Sequence, residues 1–348
     1  MRSAHSSSRA QRQRPRRSRQ AQRGVALIVA ILLVALGTII AATVAYENAM
    51  AARRGTGTFA FDESILVAQG AEALAAYGIR QFFQADPNNV YRGQGWDKPV
   101  GPMEVVPGVM LQASLEDMQG RLNLNNLVQK DGTPDPLYVA AFTKLLELVG
   151  LETKWAPMLV DWIDYDIVPQ SIDGAEDSVY MGQMPPYRTP NRYITSTTEL
   201  LALPGFGRER YLALAPYIAA LPKDTKINVC TARDKVLDAF LPAGRTEFGA
   251  TAGQLDKNRT AATAGGCFPT LANYQAALGS PRPTGTAGTS GTSQSNAGSP
   301  MSKFGQSSAY FRLSSFITIG SAEFNLYSLL YRDTTGAVRP IQRSFTPD

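Results

Sequence analysis

Of the 348 residues, 34 are basic and 29 acidic, yet eight of the arginines and none of the acids lie before Gly24. The remainder holds 26 basic residues against 29 acidic ones, so the formal balance of +5 does not mark a protein for nucleic acid or an anionic surface. The single histidine, His5, lies in the same opening, which excludes a histidine-based triad or zinc site from the rest of the chain. No phosphate-binding P-loop, G-x-S-x-G elbow or metalloprotease helix motif occurs either.

Residues 25–45 contain no charge. At a helical rise of about 1.5 Å per residue, roughly 20 apolar residues cross a hydrocarbon core of about 30 Å. The arginines before the run, from Arg2 to Arg23, hold that end in the cytoplasm and send the long remainder across. A cleaved secretory signal has an apolar core of about 7–15 residues, shorter than this one, although residues 41–45 imitate a small-residue cleavage site. A plain signal anchor is a second reading. The third lies at Arg23-Gly24, at the junction of basic leader and apolar helix, which resembles the type IV prepilin processing site. That resemblance implies cleavage after Gly24 and a methylated Val25 as the mature N-terminus. Most such proteins carry glutamate as the fifth mature residue; here the position is Val29.

Helical character continues past the membrane. Residues 46–54 contain no breaker, and Gly55 and Gly57 loosen the pattern at about 1 kcal/mol each relative to alanine. It resumes over 62–84, where Ile65, Ala68, Glu72, Ala75, Ile79 and Phe82 recur at three- and four-residue spacing, flanked by Leu66, Leu74 and Tyr77. One long helix, half in lipid and half packed on a domain, is the economical reading. Asp86-Pro87-Asn88-Asn89 ends it. Strands follow at 103–106 and 109–115 about a Pro107-Gly108 turn. Residues 116–127 then alternate leucine with asparagine, which favours turns and local backbone hydrogen bonds.

Short helices read at 136–150, 157–163, 198–203 and 208–221 point to an all-α domain inserted over about 131–222. β character returns at 226–230, a helix follows at 234–240, and 309–319, 321–332 and 337–344 read as an antiparallel meander. Residues 279–300 are rich in Gly, Ser, Thr and Pro, with Arg282 the only charge, and read as a flexible linker.

The candidate site is an acidic loop. Asp161, Asp164, Asp166, Asp173, Glu176 and Asp177 fall in one stretch without lysine or arginine, and they repel one another unless solvated or neutralised. Hard oxygen ligands in a flexible loop suit calcium, which takes 6–8 of them at about 2.3–2.6 Å. Asn191 would be a neutral ligand from the next loop, and Gly174 would allow a tight turn. A solvated acidic loop is the plainer reading, and a paired-carboxylate glycosidase lacks an aromatic-rich cleft beside it. Leu200-Leu201-Ala202-Leu203-Pro204-Gly205-Phe206-Gly207-Arg208 resembles a helix-hairpin-helix turn, whose exposed N–H groups could take a nucleic-acid phosphate. An exported DNA-binding protein of an uptake pilus is therefore the alternative function, but Glu199, Glu209 and the acidic loop oppose it. A tight helix–helix connection explains the same residues. Cys230 and Cys267 are the two cysteines, and an oxidising exterior favours their disulfide over two buried thiols.

Several stretches occur together in one order. They are Gly24 before the apolar helix, Leu115-Glu116-Asp117-Met118-Gln119-Gly120-Arg121-Leu122-Asn123-Leu124-Asn125-Asn126-Leu127, Asp161-Trp162-Ile163-Asp164, Gly174-Ala175-Glu176-Asp177, Pro186-Tyr187-Arg188, Leu203-Pro204-Gly205 and Ile227-Asn228-Val229-Cys230-Thr231-Ala232. As a set they resemble the minor pseudopilin K family of the type II secretion system, over most of residues 24–232. Val29 fits too, since this family lacks the glutamate. The resemblance implies an α+β fold: a type IV pilin-like long N-terminal transmembrane helix packed on an antiparallel sheet, with a large inserted all-α domain. On it, residues 1–24 are a cleaved leader, 25–45 the transmembrane helix, 46–130 the pilin-like helix and first strands, 131–222 the insertion and 223–348 the return to the pilin-like domain. It further implies bound calcium, no enzymatic activity and a place at the filament tip in protein secretion. The implied partners are minor pseudopilins I and J, through them H and the major pseudopilin G, a prepilin peptidase and the inner-membrane secretion platform, without nucleic acid. The implied location is the bacterial inner membrane, single-pass, with a cytoplasmic N-terminus and a periplasmic globular part.

Overall fold

The computed structural model describes residues 19–249, 252–260, 266–279 and 300–347. The first 18 residues of the expected leader, and nearly all of the expected linker at 279–300, lie outside them. The chain divides into two compact units, one up to Asp62 and one from Glu63 on. Helix α1 (Arg19–Ala85) supplies the described part of the first and opens the second. It does not break at Gly55 or Gly57, and it stops just before Asp86, whose carboxylate accepts the Asn88 and Asn89 amides. Within the first unit every residue of the run 25–45 is exposed. A helix apolar on all sides suits lipid and not a water-facing surface, and this one is long and apolar enough to cross a membrane.

The second unit continues with β1 (Val100–Val106), β2 (Val109–Asp117) and the two-residue β3 (Leu122–Asn123). Helices α2 (Pro136–Leu148), α3 (Trp155–Ile163), α4 (Asp177–Tyr180) and α5 (Gly207–Leu214) follow, then the short β4 (Ile218–Ala219) and β5 (Ile227–Asn228). Helices α6 (Asp234–Ala239), α7 (Ala252–Thr260) and α8 (Leu271–Gly279) precede β6 (Phe304–Gly305) and three long strands, β7 (Tyr310–Ile319), β8 (Ala322–Arg332) and β9 (Val338–Ser344).

The long strands make one antiparallel sheet in the order β1-β2-β7-β8-β9. Side chains alternate across it, so Phe311, Leu313 and Ile317 of β7 and Leu326 and Leu330 of β8 point into one core. Ala68, Ala71 and Ile79 of α1 close that core from the other side. Each large aliphatic side chain so buried contributes about 1.5–3 kcal/mol. A polar clamp fixes the register of helix on sheet. Glu72, buried on α1, accepts from Ser328 at 2.6 Å and from Arg343 at 2.7 Å.

The stretch after β2 joins the sheet to the helices. Leu122, Leu124 and Leu127 enter a second, helical core, while the intervening asparagines clip distant backbone. Asn123 accepts the Leu221 amide and donates to the Pro222 carbonyl; Asn125 donates to the carbonyls of Ile194 and Leu221; Asn126 accepts the Asp224 amide. Local turn-making accounts for only part of this, because most of these partners lie far away in the chain. Just before them, the Glu116 carboxylate gathers three guanidiniums, from Arg121 at 2.6 Å, Arg312 at 2.8 Å and Arg233 at 3.5 Å. Gly120 is required by close approach: a Cβ there would stand 2.7 Å from the Thr231 carbonyl oxygen.

The helical core differs from the sequence reading in two places. The expected helix over 208–221 ends at Leu214, because Pro216 has no N–H to donate. The chain then enters β4, which pairs parallel with β3. The core also does not stop at residue 222: Ile227, Leu237, Tyr274 and Phe304 are buried in it. The expected return of β structure at 226–230 amounts to β5, which pairs with β6 outside the five-stranded sheet.

Candidate functional site

Helix α3 sets Asp161 and Asp164 three residues apart on one face, at the helix end where backbone carbonyls already concentrate negative potential. No lysine or arginine occurs between Trp155 and Tyr187 to offset them. The loop beyond then doubles back on Asp161, whose carboxylate accepts the Gln170 amide at 3.0 Å and the Ala175 amide at 2.7 Å. The Gly174 amide closes the same turn on the Ser171 carbonyl at 2.9 Å. A Cβ on Gly174 would strike Asp161 and stand 3.0 Å from the Gln170 nitrogen, so only glycine fits.

This fold-back carries Glu176 to Asp164 and Asp166, and one carboxylate oxygen from each lies within 4.8 Å of the other two. Asp161 and Asp164 are fully buried and Glu176 nearly so. Burial, and then the charge of the facing carboxylates, push Asp161 up to about 6 and Asp164 and Glu176 up to about 7. Asn191 is drawn in by its side-chain amide, which donates to the Asp166 carbonyl at 2.8 Å. Four buried atoms here have no hydrogen-bond partner: Asp164 Oδ1, Glu176 Oε1, Asn191 Oδ1 and the Tyr180 hydroxyl oxygen. A buried oxygen without a partner costs about 1–3 kcal/mol, and more if charged. The donor set is all oxygen and fits a hard divalent cation, which Asp164, Asp166, Glu176 and Asn191 would hold.

The other expected ligands stand apart. Asp161 uses its two oxygens on loop amides. Asp177 accepts the Thr189 amide and hydroxyl at 3.2 and 3.1 Å and lies 3.7 Å from Arg188. Asp173 is exposed at the loop tip. Sequence reasoning missed Gln170, whose side-chain amide donates to Asp164 at 3.1 Å, and the buried Tyr180. Neither residue type signals a charged site, and only the fold-back places them there.

The glycine turn between α5 and the preceding helical turn (Thr197–Ala202) has Gly205 at φ 80° and Gly207 at φ 73°. Phe206 between them is buried edge-on against Trp155 at 5.1 Å. Arg210 pairs with Glu152 at 3.0 Å and donates to the carbonyls of Gly205 and Phe206. The turn thus connects two packed segments, and this cation is engaged within it. Elsewhere, Cys230 and Cys267 are joined, with Cα atoms 4.5 Å apart across 37 residues of chain. A loop of that length corresponds to about 4 kcal/mol in the chain-entropy account.

A long apolar N-terminal helix, an antiparallel sheet laid on its second half and a helical insertion between the strands define a pilin-like α+β protein. Residues 120–223 match the family described as "Type II secretion system (T2SS), protein K". The chain is 34% identical to type II secretion system protein K of Pseudomonas aeruginosa over 231 residues, 64% of this chain and 69% of that protein. It is 33% identical to the protein K of Klebsiella pneumoniae over 236 residues, 65% of this chain and 72% of the other. Its fold is similar to a chain in the crystal structure of the GspK-GspI-GspJ complex from enterotoxigenic Escherichia coli. That likeness has a TM-score of 0.63 at 20% identity and covers 85% of this chain and 100% of the other. The chain belongs to the type II secretion system protein K family.

Proposed function

We propose that this chain is a non-enzymatic minor pseudopilin at the tip of a type II secretion pseudopilus, where it initiates or caps the filament that helps export folded proteins. The observation that carries the tip position is Val29 on the apolar part of α1. Without a carboxylate there, the subunit has no group to pair with the N-terminus of a subunit above it, and a first subunit needs none. On this reading the arginine-rich opening keeps the N-terminus in the cytoplasm, with the second unit in the periplasm. Processing after Gly24 by a prepilin peptidase then frees Val25 as the methylated N-terminus. The mass of the mature N-terminal peptide should begin at Val25; an intact N-terminus in cells holding the peptidase, or a cut near Ala45, would contradict this.

The partners on this reading are minor pseudopilins I and J, with which the similar Escherichia coli protein was crystallised, and through them H and the major pseudopilin G. The surface that suits them lies between α1 and the β1–β2 hairpin. There a groove of about 270 Å³ is lined by Ala71, Leu74, Gly78, Met103 and Leu111, beside the sheet edge β1, whose residues are all exposed. Leu74 is exposed, so Leu74→Asp should leave the fold intact and cut co-purification of I and J at least tenfold. Unchanged co-purification would remove the groove from the interface.

In the acidic loop we assign calcium to the oxygens of Asp164, Asp166, Glu176 and Asn191, in a structural role. Asp161, Asp173 and Asp177 add negative potential around it.

A further inference from the structure

The same loop carries apolar side chains that none of the described residues covers. Residues 165–173 are exposed without interruption, with Ile167, Val168 and Ile172 among them. Ile172 is 101% exposed, as open as in an extended chain, and Ile167 is 72% exposed. Single exposed aliphatics are ordinary on a protein surface, but several on one segment mark a contact surface. The segment is also held in shape. Its base is fixed by the two amides donated to Asp161, and its tip by the Gly174 amide on the Ser171 carbonyl. Little ordering entropy would then oppose binding.

Charge decides the kind of partner. Six carboxylates lie between Asp161 and Asp177 without a single lysine or arginine, so even a bound divalent cation leaves the segment negative. An anionic lipid surface would repel it, and so would the same loop of a second copy. We propose that this segment is a docking knob, with Ile167 and Ile172 as anchors, for a protein partner whose apolar groove is rimmed by lysine or arginine. The arrangement matches a contact in which apolar anchors are desolvated inside a charged ring. The inference goes beyond the tip reading and does not depend on the identity of the cation, only on the fold of the loop.

The test uses the full chain in secretion-competent cells, with a photo-crosslinking residue at Val168 and the adduct sequenced by mass spectrometry. The expected result is a protein adduct whose joined peptide is apolar and flanked by lysine or arginine. Ile167→Ser with Ile172→Ser should reduce it at least tenfold while the melting temperature stays unchanged, both side chains being in solvent. No adduct, an adduct with lipid or with a second copy, or one indifferent to the double substitution would overturn the proposal. Failure of tip assembly is read separately, from co-purification of I and J.

Discussion

Chelating divalent cations from the full-length chain in detergent will lower its melting temperature by about 5–10 °C, and added calcium will restore it. The size follows from linkage: a ligand at a hundredfold excess over its dissociation constant stabilises by about 2.7 kcal/mol, and for a domain of this size 1 kcal/mol is worth about 2–4 °C. The cause lies in Asp164, Asp166 and Glu176, whose oxygens converge within 4.8 Å with no cationic side chain in the loop. Asp164→Ala with Glu176→Ala should make melting indifferent to both calcium and chelator, since the repulsion and the ligands vanish together. A wild-type protein equally indifferent to both would leave only a solvated acidic loop.

Glu116→Ala will destabilise the fold by about 2–3 kcal/mol. Breaking a fully buried ion pair costs about 3–5 kcal/mol; here the Glu116 side chain is 33% exposed, so solvent screens part of the loss. What remains is three guanidiniums facing one another, with Arg121 only 7% exposed. Partial burial opposes ionisation of Glu116, but Arg121, Arg312 and Arg233 outweigh it and hold the carboxyl at about 2, below its ordinary 4.5. The folded form therefore releases its proton more readily than the unfolded one. The stabilisation is fully present above pH 4.5 and is lost as pH falls through about 2. Acid unfolding followed by circular dichroism should show wild type and Glu116→Ala converging over that window. Equal melting of the two at neutral pH would refute the role assigned to the cluster.

How far the sequence speaks depends on the range of the interaction involved. The apolar run at 25–45 and the alternation over 309–344 are local periodicities, and α1 and the β7–β8–β9 meander stand where they were expected. Pro216 ends the helix that the spacing over 208–221 predicts, because a proline has no N–H to carry the pattern on. The asparagines at 123, 125 and 126 read as turn formers because their partners, up to 99 residues away, have no local trace. The same holds for the helical core, whose later members Tyr274 and Phe304 are fixed by contact and not by pattern. In the acidic loop, composition identified the stretch. Which carboxylates converge depends on the fold-back at Gly174, and that is set by Asp161 accepting two amides nine and fourteen residues on.

The position of the subunit in the filament tests the central claim most directly. Pseudopili displayed by cells overproducing the major pseudopilin can be labelled with gold-conjugated antibody to this chain and imaged. The account predicts gold at filament ends alone, because Val29 offers no carboxylate to a subunit above it. Gold distributed along the shafts would contradict it.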